Sequence, residues 1–251
     1  MIRWLLSLLA TFGIIIGSAQ PIPTPTPNTV LPTEHILPAQ KTITVNNKTY
    51  AYAVIGPVTS SSVTLQLNLP QKQSIEEIQS ALKCQAITSG GFYDTNDHPL
   101  GLFLVNGITK NEALQSSLFN GYIWSIKNGK GGVGAILTDQ ELTFGLQTGP
   151  LLISKGTPRT LQLTTDQNAR RIIGSATTNG TLVFMTVYAE NTEFSGPLLY
   201  DLPAIVKAVS DKEGLHIVDA INLDGGNHSA FHSPEASLTE LSPVGSSFCI
   251  K

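Results

Sequence analysis

The chain has 251 residues, 41% hydrophobic and 13% charged, with a formal net charge of −3 at pH 7. That composition supplies a sizeable core and excludes the basic footprint of a nucleic-acid-binding protein. Glycine is abundant (22 residues) and aromatics make up only 7%, which favours a strand- and turn-rich fold over a helical bundle.

The chain opens on an address. Met1-Ile2-Arg3 is a short positive end, Trp4 to Ile16 an apolar run, and Gly17-Ser18-Ala19 a small-residue cleavage pattern. The apolar run falls short of the ~20 residues of a comfortable membrane span. Residues 1–19 therefore read as a signal peptide cleaved after Ala19, giving a secreted or cell-envelope protein; membrane attachment would come only through an uncleaved signal. Residues 20–40 are dense in proline and threonine, the composition of a semi-rigid, solvated spacer. One globular domain is expected over residues 41–251.

Thr42 to Val45 and Thr49 to Ile55 flank Asn46-Asn47-Lys48 as a hairpin. Val63 to Leu69 alternates apolar and polar residues, the mark of a strand with one buried face. Ser74 with Glu77 forms a capping box that starts a short helix running to about Lys83. Cys84 and Cys249 are the only cysteines; in an exported chain an even pair predicts a disulfide, with two separate buried thiols as the alternative. The strand Cys84 to Thr88 empties into Ser89-Gly90-Gly91-Phe92-Tyr93-Asp94, a glycine pair with an acid close by.

Pro99 to Gly107, Tyr122 to Ile126 and Val133 to Leu137 read as further strands. Gly129 to Gly132 lacks the spacing of a phosphate loop. Gln147 to Pro150 is a bend before the buried strand Leu151 to Ile153. Arg170 and Arg171 open a hairpin whose second arm, Thr181 to Tyr188, follows Asn179-Gly180. Adjacent residues of a strand point to opposite faces, so at most one of these arginines looks into a given pocket. Leu198 to Val209 predicts the second helix, with Pro203 limiting or kinking it. Ile217 to Leu223 is a buried strand that stops on Asp224-Gly225-Gly226-Asn227-His228-Ser229. A carboxylate at the end of a buried strand is held rigidly, and glycines after it allow close approach of a ligand. An ordinary Asp-Gly turn is the competing explanation. The fold class that results is α+β: strand-rich mixed sheets with two short helices in a single domain.

In order along the chain, Ser89 to Asp94, Pro99 to Leu102, Gln147 to Leu152, Arg170 to Gly174, and Asn222 to Gly226 with Ser229 resemble the signature of the phosphodiester glycosidase family. The likeness covers roughly Lys41 to Lys251. It implies an exported hydrolase that cleaves a sugar-1-phosphodiester in an extracellular or envelope glycan, so a phosphorylated glycan or cell-wall polymer is the expected partner. It also implies a cleft in which Asp224 and Arg170 are catalytic; Asp94 and His228 join them as catalytic candidates by their chemistry. Ser89, Gly90, Gly91, Phe92, Gly149, Arg171, Gly225, Gly226, Asn227 and Ser229 would contact substrate. Serine at 89 and histidine at 228 depart from the asparagine and the small residue usual in the family, which bears on activity and substrate choice.

The chemistry is consistent with those residue types. A departing phosphate monoester is a weak base, so the reaction asks mainly for positive charge on the phosphate and a carboxylate near the anomeric carbon. Arginine pairs two phosphate oxygens at once, which gives Arg170 the part of phosphate clamp. Asp224 would serve as nucleophile or base, and Asp94 as second carboxylate or as an organiser of its own loop. His228 would be an acid, a phosphate donor or a metal ligand. No cofactor is expected and no metal site has a recognisable spacing, although a divalent ion stays open. Two rivals remain: a noncatalytic glycan-binding or envelope-interaction module on the same fold, and a serine hydrolase built on Ser229 and His228, which has no Gly-x-Ser-x-Gly elbow to support it.

Overall fold

Strand formation follows the distribution of β-branched and aromatic residues between glycine and asparagine turns. The computed structural model describes residues 40–251; the signal expected over residues 1–19 and all but the last residue of the spacer expected over residues 20–40 lie outside the described residues. The first hairpin pairs Lys41–Val45 with Lys48–Val58 around Asn46 and Asn47, both at positive φ. Arg171–Thr177 and Leu182–Tyr188 pair likewise around Gly180.

The largest sheet has seven strands in the order Lys41–Val45, Lys48–Val58, Leu182–Tyr188, Arg171–Thr177, Ile217–Leu223, Leu151–Ser154 and Thr157–Pro158. A second sheet orders Ser237–Leu238, Phe231–His232, Ala86–Ser89, Ser246–Ile250 and Val63–Leu67. The third orders Ile108–Asn111, Phe103–Val105, Leu142–Thr148, Gly121–Ile126 and Gly131–Gly134. Two α-helices, Ile75–Leu82 and Leu202–Glu213, accompany them among the described residues. The class is α+β, and residues from 40 onward belong to one compact unit. Mixed pairing was expected within the sheets, but every strand pairing is antiparallel. The reason lies in the connections. Hairpins join many neighbours, and the chain's passage through Leu202–Glu213 lands beyond an intervening antiparallel strand.

Alternation along Arg171–Thr177 shows how the large sheet is covered. Ile172 and Ala176 join a core shared by all three sheets, where Phe248 meets Phe184 and Phe144 at ring separations of 4.9 and 5.6 Å. Ile173 faces the other way, into a core under the second helix. That helix contributes Leu202, Ile205, Val206 and Val209, all fully buried at the 3–4 residue spacing of one helical face. Pro203 sits in its first turn, where a missing N–H costs no hydrogen bond, so it starts the helix without kinking it. The preceding Leu199–Asp201 is a 3₁₀ turn, where the helix was expected to have begun.

The first helix starts as its capping box predicts: the Glu77 amide donates to Ser74 Oγ at 3.2 Å and the Ser74 amide to the Glu77 carboxylate at 2.8 Å. Beneath this helix Cys84 and Cys249 form a disulfide, packed with Ile75, Ile78 and Ile87. Joining residues 165 apart, the bond contributes about 5 kcal/mol in the chain-entropy account. Three strand expectations change. Pro99 to Gly107 is a strand only over Phe103–Val105, and Val133 to Leu137 only as far as Gly134, after which Ile136 is exposed. Leu142–Thr148, which pairs on both edges, is a strand that sequence reading left out.

Candidate functional site

Ile217–Leu223 lies inside the large sheet with a partner on each side. Its Ile221 and Leu223 point into the core between the sheets, and Ala220 packs under the second helix. Asn222 and Asp224 continue the Ala220 face past the helix and line a cleft of about 490 Å³. The strand thus carries its acid out of an apolar environment and stops it at a cavity wall.

The loops around Asp224 hold its backbone from three directions. Its amide donates to the Gly90 carbonyl at 2.9 Å, and Ser89 Oγ donates to its carbonyl at 3.1 Å. Gly90 and Gly91 are in turn fixed by Ser246, whose carbonyl accepts from the Gly90 amide at 2.8 Å and whose hydroxyl accepts from the Gly91 amide at 2.9 Å. Gly225 lies so close to the Arg170 carbonyl that a Cβ would stand 2.5 Å from it, and the Gly226 amide donates to that same oxygen at 2.8 Å. Gly226 has φ +61°, which glycine adopts without strain. Desolvation by these walls pushes the Asp224 carboxyl up to about 8, against the lowering effect of the Gly225 amide.

The rest of the cleft is part cationic and amide-bearing, part aromatic. Arg171 is the cation at its wall. Its Nη2 reaches Asp166 at 3.1 Å and its Nε the Pro197 carbonyl at 3.1 Å, and burial lowers its pKa against the opposing pull of Asp166. Phe92, Phe194, Leu118 and Leu199 supply apolar surface, with Phe119 stacked behind Phe92 at 5.2 Å. Gly149 closes one corner; a Cβ there would lie 2.1 Å from the Leu118 carbonyl. Asn227 and His228 form the rim, and His228 Nδ1 lies 2.8 Å from the Tyr93 hydroxyl.

Of the residues expected at the site, Asp224, Phe92, Gly149, Arg171, Gly225, Gly226, Asn227 and His228 meet in this one cleft. Arg170 does not. It points to the inter-sheet side, is fully buried, and donates from Nε to Ser229 Oγ at 2.9 Å and from Nη2 to the Ser229 and Thr239 carbonyls. Phe194 covers its guanidinium at 4.9 Å, and burial lowers its pKa to about 10. Its expected part as phosphate clamp is corrected accordingly: Arg170 braces the Gly225–Ser229 turn from behind.

Ser229 is buried in that brace and donates to the Gly226 carbonyl at 2.7 Å, so it neither contacts the cleft nor pairs with His228 as a serine nucleophile would. Ser89, Gly90 and Gly91 are also buried, as supports of Asp224 and not as substrate contacts. Asp94 accepts the amides of Asn96 and His98 at 2.8 and 2.9 Å, which hold its carboxyl below the ordinary range. It organises its own turn and is no second carboxylate of the cleft.

Sequence reading missed Asn222, Asn168, Phe194, Leu118 and Leu199. Asn222 was within reach, because a residue two before Asp224 on the same strand shares its face. Its Nδ2 donates to the Gly149 carbonyl at 3.1 Å. A second cleft, about 470 Å³, is bordered by Lys41, Tyr52, Glu190, Glu193 and Glu235 at the edge of the large sheet. It holds none of the expected site residues, whereas eight of them meet in the Asp224 cleft.

The family model for phosphodiester glycosidases matches residues 82–251, which contain every residue named above at the Asp224 cleft. The fold is similar to the catalytic domain of zebrafish N-acetylglucosamine-1-phosphodiester α-N-acetylglucosaminidase, auto-inhibited by its pro-peptide in that structure. The two share 17% identity at a TM-score of 0.59, over 84% of this chain and 81% of that one. A hypothetical protein from Synechocystis is similar at 14% identity and a TM-score of 0.53, over 84% of this chain and 61% of its own. No curated protein matches this chain in sequence.

Proposed function

This chain belongs to the phosphodiester glycosidase family, and we propose that it hydrolyses the bond between a sugar's anomeric carbon and a phosphodiester oxygen in an extracellular or envelope glycan. The observation that carries this reading is a desolvated Asp224 and a cationic Arg171 lining one cleft with aromatic walls. A carboxyl with a pKa near 8 keeps its proton at neutral pH. It therefore accepts an anionic diester without charge repulsion and can assist the departing phosphate oxygen as an acid, a role in place of the nucleophile or base expected from the sequence. Arg171, paired at the cleft wall with Asp166, is the proposed partner of the phosphate, and the Phe92 and Phe194 faces suit the apolar side of a sugar ring. The disulfide and the signal-like start support an oxidising compartment outside the cytoplasm.

The test is turnover of an α-N-acetylglucosamine-1-phosphodiester by the purified protein and by Asp224→Asn, following released sugar with and without added divalent metal. Turnover that the substitution abolishes supports the reading. Binding of the diester with no turnover under any condition would move the chain to a glycan-binding module.

A further inference from the structure

Tyr93 stands next to the cleft without being one of its expected residues. Its ring is seated on Gly245, where a Cβ would come within 2.3 Å of a ring carbon, and its edge meets the His228 ring at a centroid separation of 5.6 Å. The phenol oxygen has two partners, each at 2.8 Å: the Pro243 carbonyl and His228 Nδ1. Burial first, then Asp224 and Asp97, hold the phenol above its ordinary pKa, so its single proton stays in place. A carbonyl can only accept, so satisfying it uses that proton. The contact with His228 is then complete only if Nδ1 carries a hydrogen and donates to the phenol oxygen. The opposite tautomer would set two acceptors against one proton.

We propose that Tyr93 is a positioning residue that fixes His228 as the Nδ1–H tautomer and leaves Nε2 as the free basic nitrogen of the cleft. Its use in catalysis rests on the glycosidase reading above. Water oxygen bonds to the anomeric carbon while the carbon–oxygen bond to phosphate breaks. The water proton passes to His228 Nε2, and the Asp224 proton passes to the departing phosphate oxygen. Imidazolium and carboxylate are left, and exchange with solvent restores both. The arrangement divides the labour between a group that starts protonated and one that starts free.

Long-range proton–nitrogen correlation spectra of the purified protein, at a pH where the ring is neutral, read the tautomer directly. The expected pattern for His228 is Nδ1–H, relaxing toward Nε2–H in Tyr93→Phe. An Nε2–H pattern in the unsubstituted protein overturns the proposal, and that spectrum requires neither a variant nor any activity. With the N-acetylglucosamine phosphodiester as probe, His228→Gln should lower kcat about 100-fold. Tyr93→Phe should lower it about tenfold, the size of one lost charge-assisted hydrogen bond, with KM within about twofold. The double variant should lose no more than His228→Gln alone. An unchanged kcat in Tyr93→Phe would refute the positioning role. Absence of any turnover by the unsubstituted protein would remove the glycosidase reading instead, and the spectrum would still decide the tautomer.

Discussion

Two strands of this molecule end in a glycine pair beside an acid, and the two acids have opposite environments. After Ala86–Ser89 come Gly90, Gly91 and, three residues on, Asp94, whose carboxylate faces solvent and takes up two amides of its own turn. After Ile217–Leu223 come Asp224, Gly225 and Gly226, and here the carboxyl lines the cleft and is raised to about 8. The sequences look like repeats of one device. In the structure they are successive parts of a single one, because the first glycine pair supplies the carbonyl that holds the second acid's backbone. What decides an acid's chemistry is the solvent and the donors around it, and a local motif encodes neither.

The comparison breaks most sharply at the two acids themselves. Asp224→Asn should lower phosphodiester turnover by about 10²-fold or more, measured as released sugar, since the amide can act neither as acid nor as base. The same substitution should stabilise the fold with a defined pH dependence. An acid whose pKa is raised in the folded state keeps its proton there after the unfolded chain has released it. Folding is therefore penalised progressively as pH rises from about 4 toward 8, and the penalty is constant beyond that. Denaturant titrations of both proteins across that window should show the variant gaining on the original with rising pH, by at most about 6 kcal/mol. A gap that does not change with pH would mean that the Asp224 carboxyl is not desolvated.

The supporting glycines come next. Gly225→Ala places a Cβ against the Arg170 carbonyl, a backbone atom that cannot rotate away, and should cost about 1–3 kcal/mol in unfolding free energy together with most of the turnover. Arg171→Ala sharpens the contrast between the two arginines. It should slow phosphodiesters about 100-fold while changing neutral aryl glycosides far less, and equal losses on both substrates would remove Arg171 from the phosphate. At the bottom of the scale, Asp94→Asn should leave turnover within about twofold, as befits a carboxylate that only shapes an exposed turn.

Much of this was legible along the chain. The hairpins were marked by asparagine and glycine turns, the first helix by its capping box, and Asp224 by a buried strand that stops on an acid. The strands Leu142–Thr148 and Ser246–Ile250 were missed: the first does alternate Leu142, Phe144 and Leu146 with Thr143, Gly145 and Gln147 and was overlooked, and the second buries its polar serines together with its apolar residues. Alternation limited the cleft to one arginine of Arg170 and Arg171, but which one depends on where the second helix and the other sheets pack, a fact of the assembled fold. Leu118 and Phe194 reach the cleft from loops distant in sequence, with no local pattern to announce them. Gly90, Gly91 and Ser229 were legible as important and misread in kind: close packing demands small residues behind a site as strongly as within it.

Ser246 has a consequence for how the protein is made. Its carbonyl and hydroxyl hold the Gly90 and Gly91 amides, and its strand fills the place between Ala86–Ser89 and Val63–Leu67. A ribosome delivers this residue 155 positions after Gly91. Until then the second sheet has a gap in its interior, and the loop that anchors Asp224 has no anchor of its own. The nascent chain is thus without a formed cleft until Ser246 has emerged, so a chain interrupted ahead of Ser246 should emerge without activity however much of the large sheet it already contains.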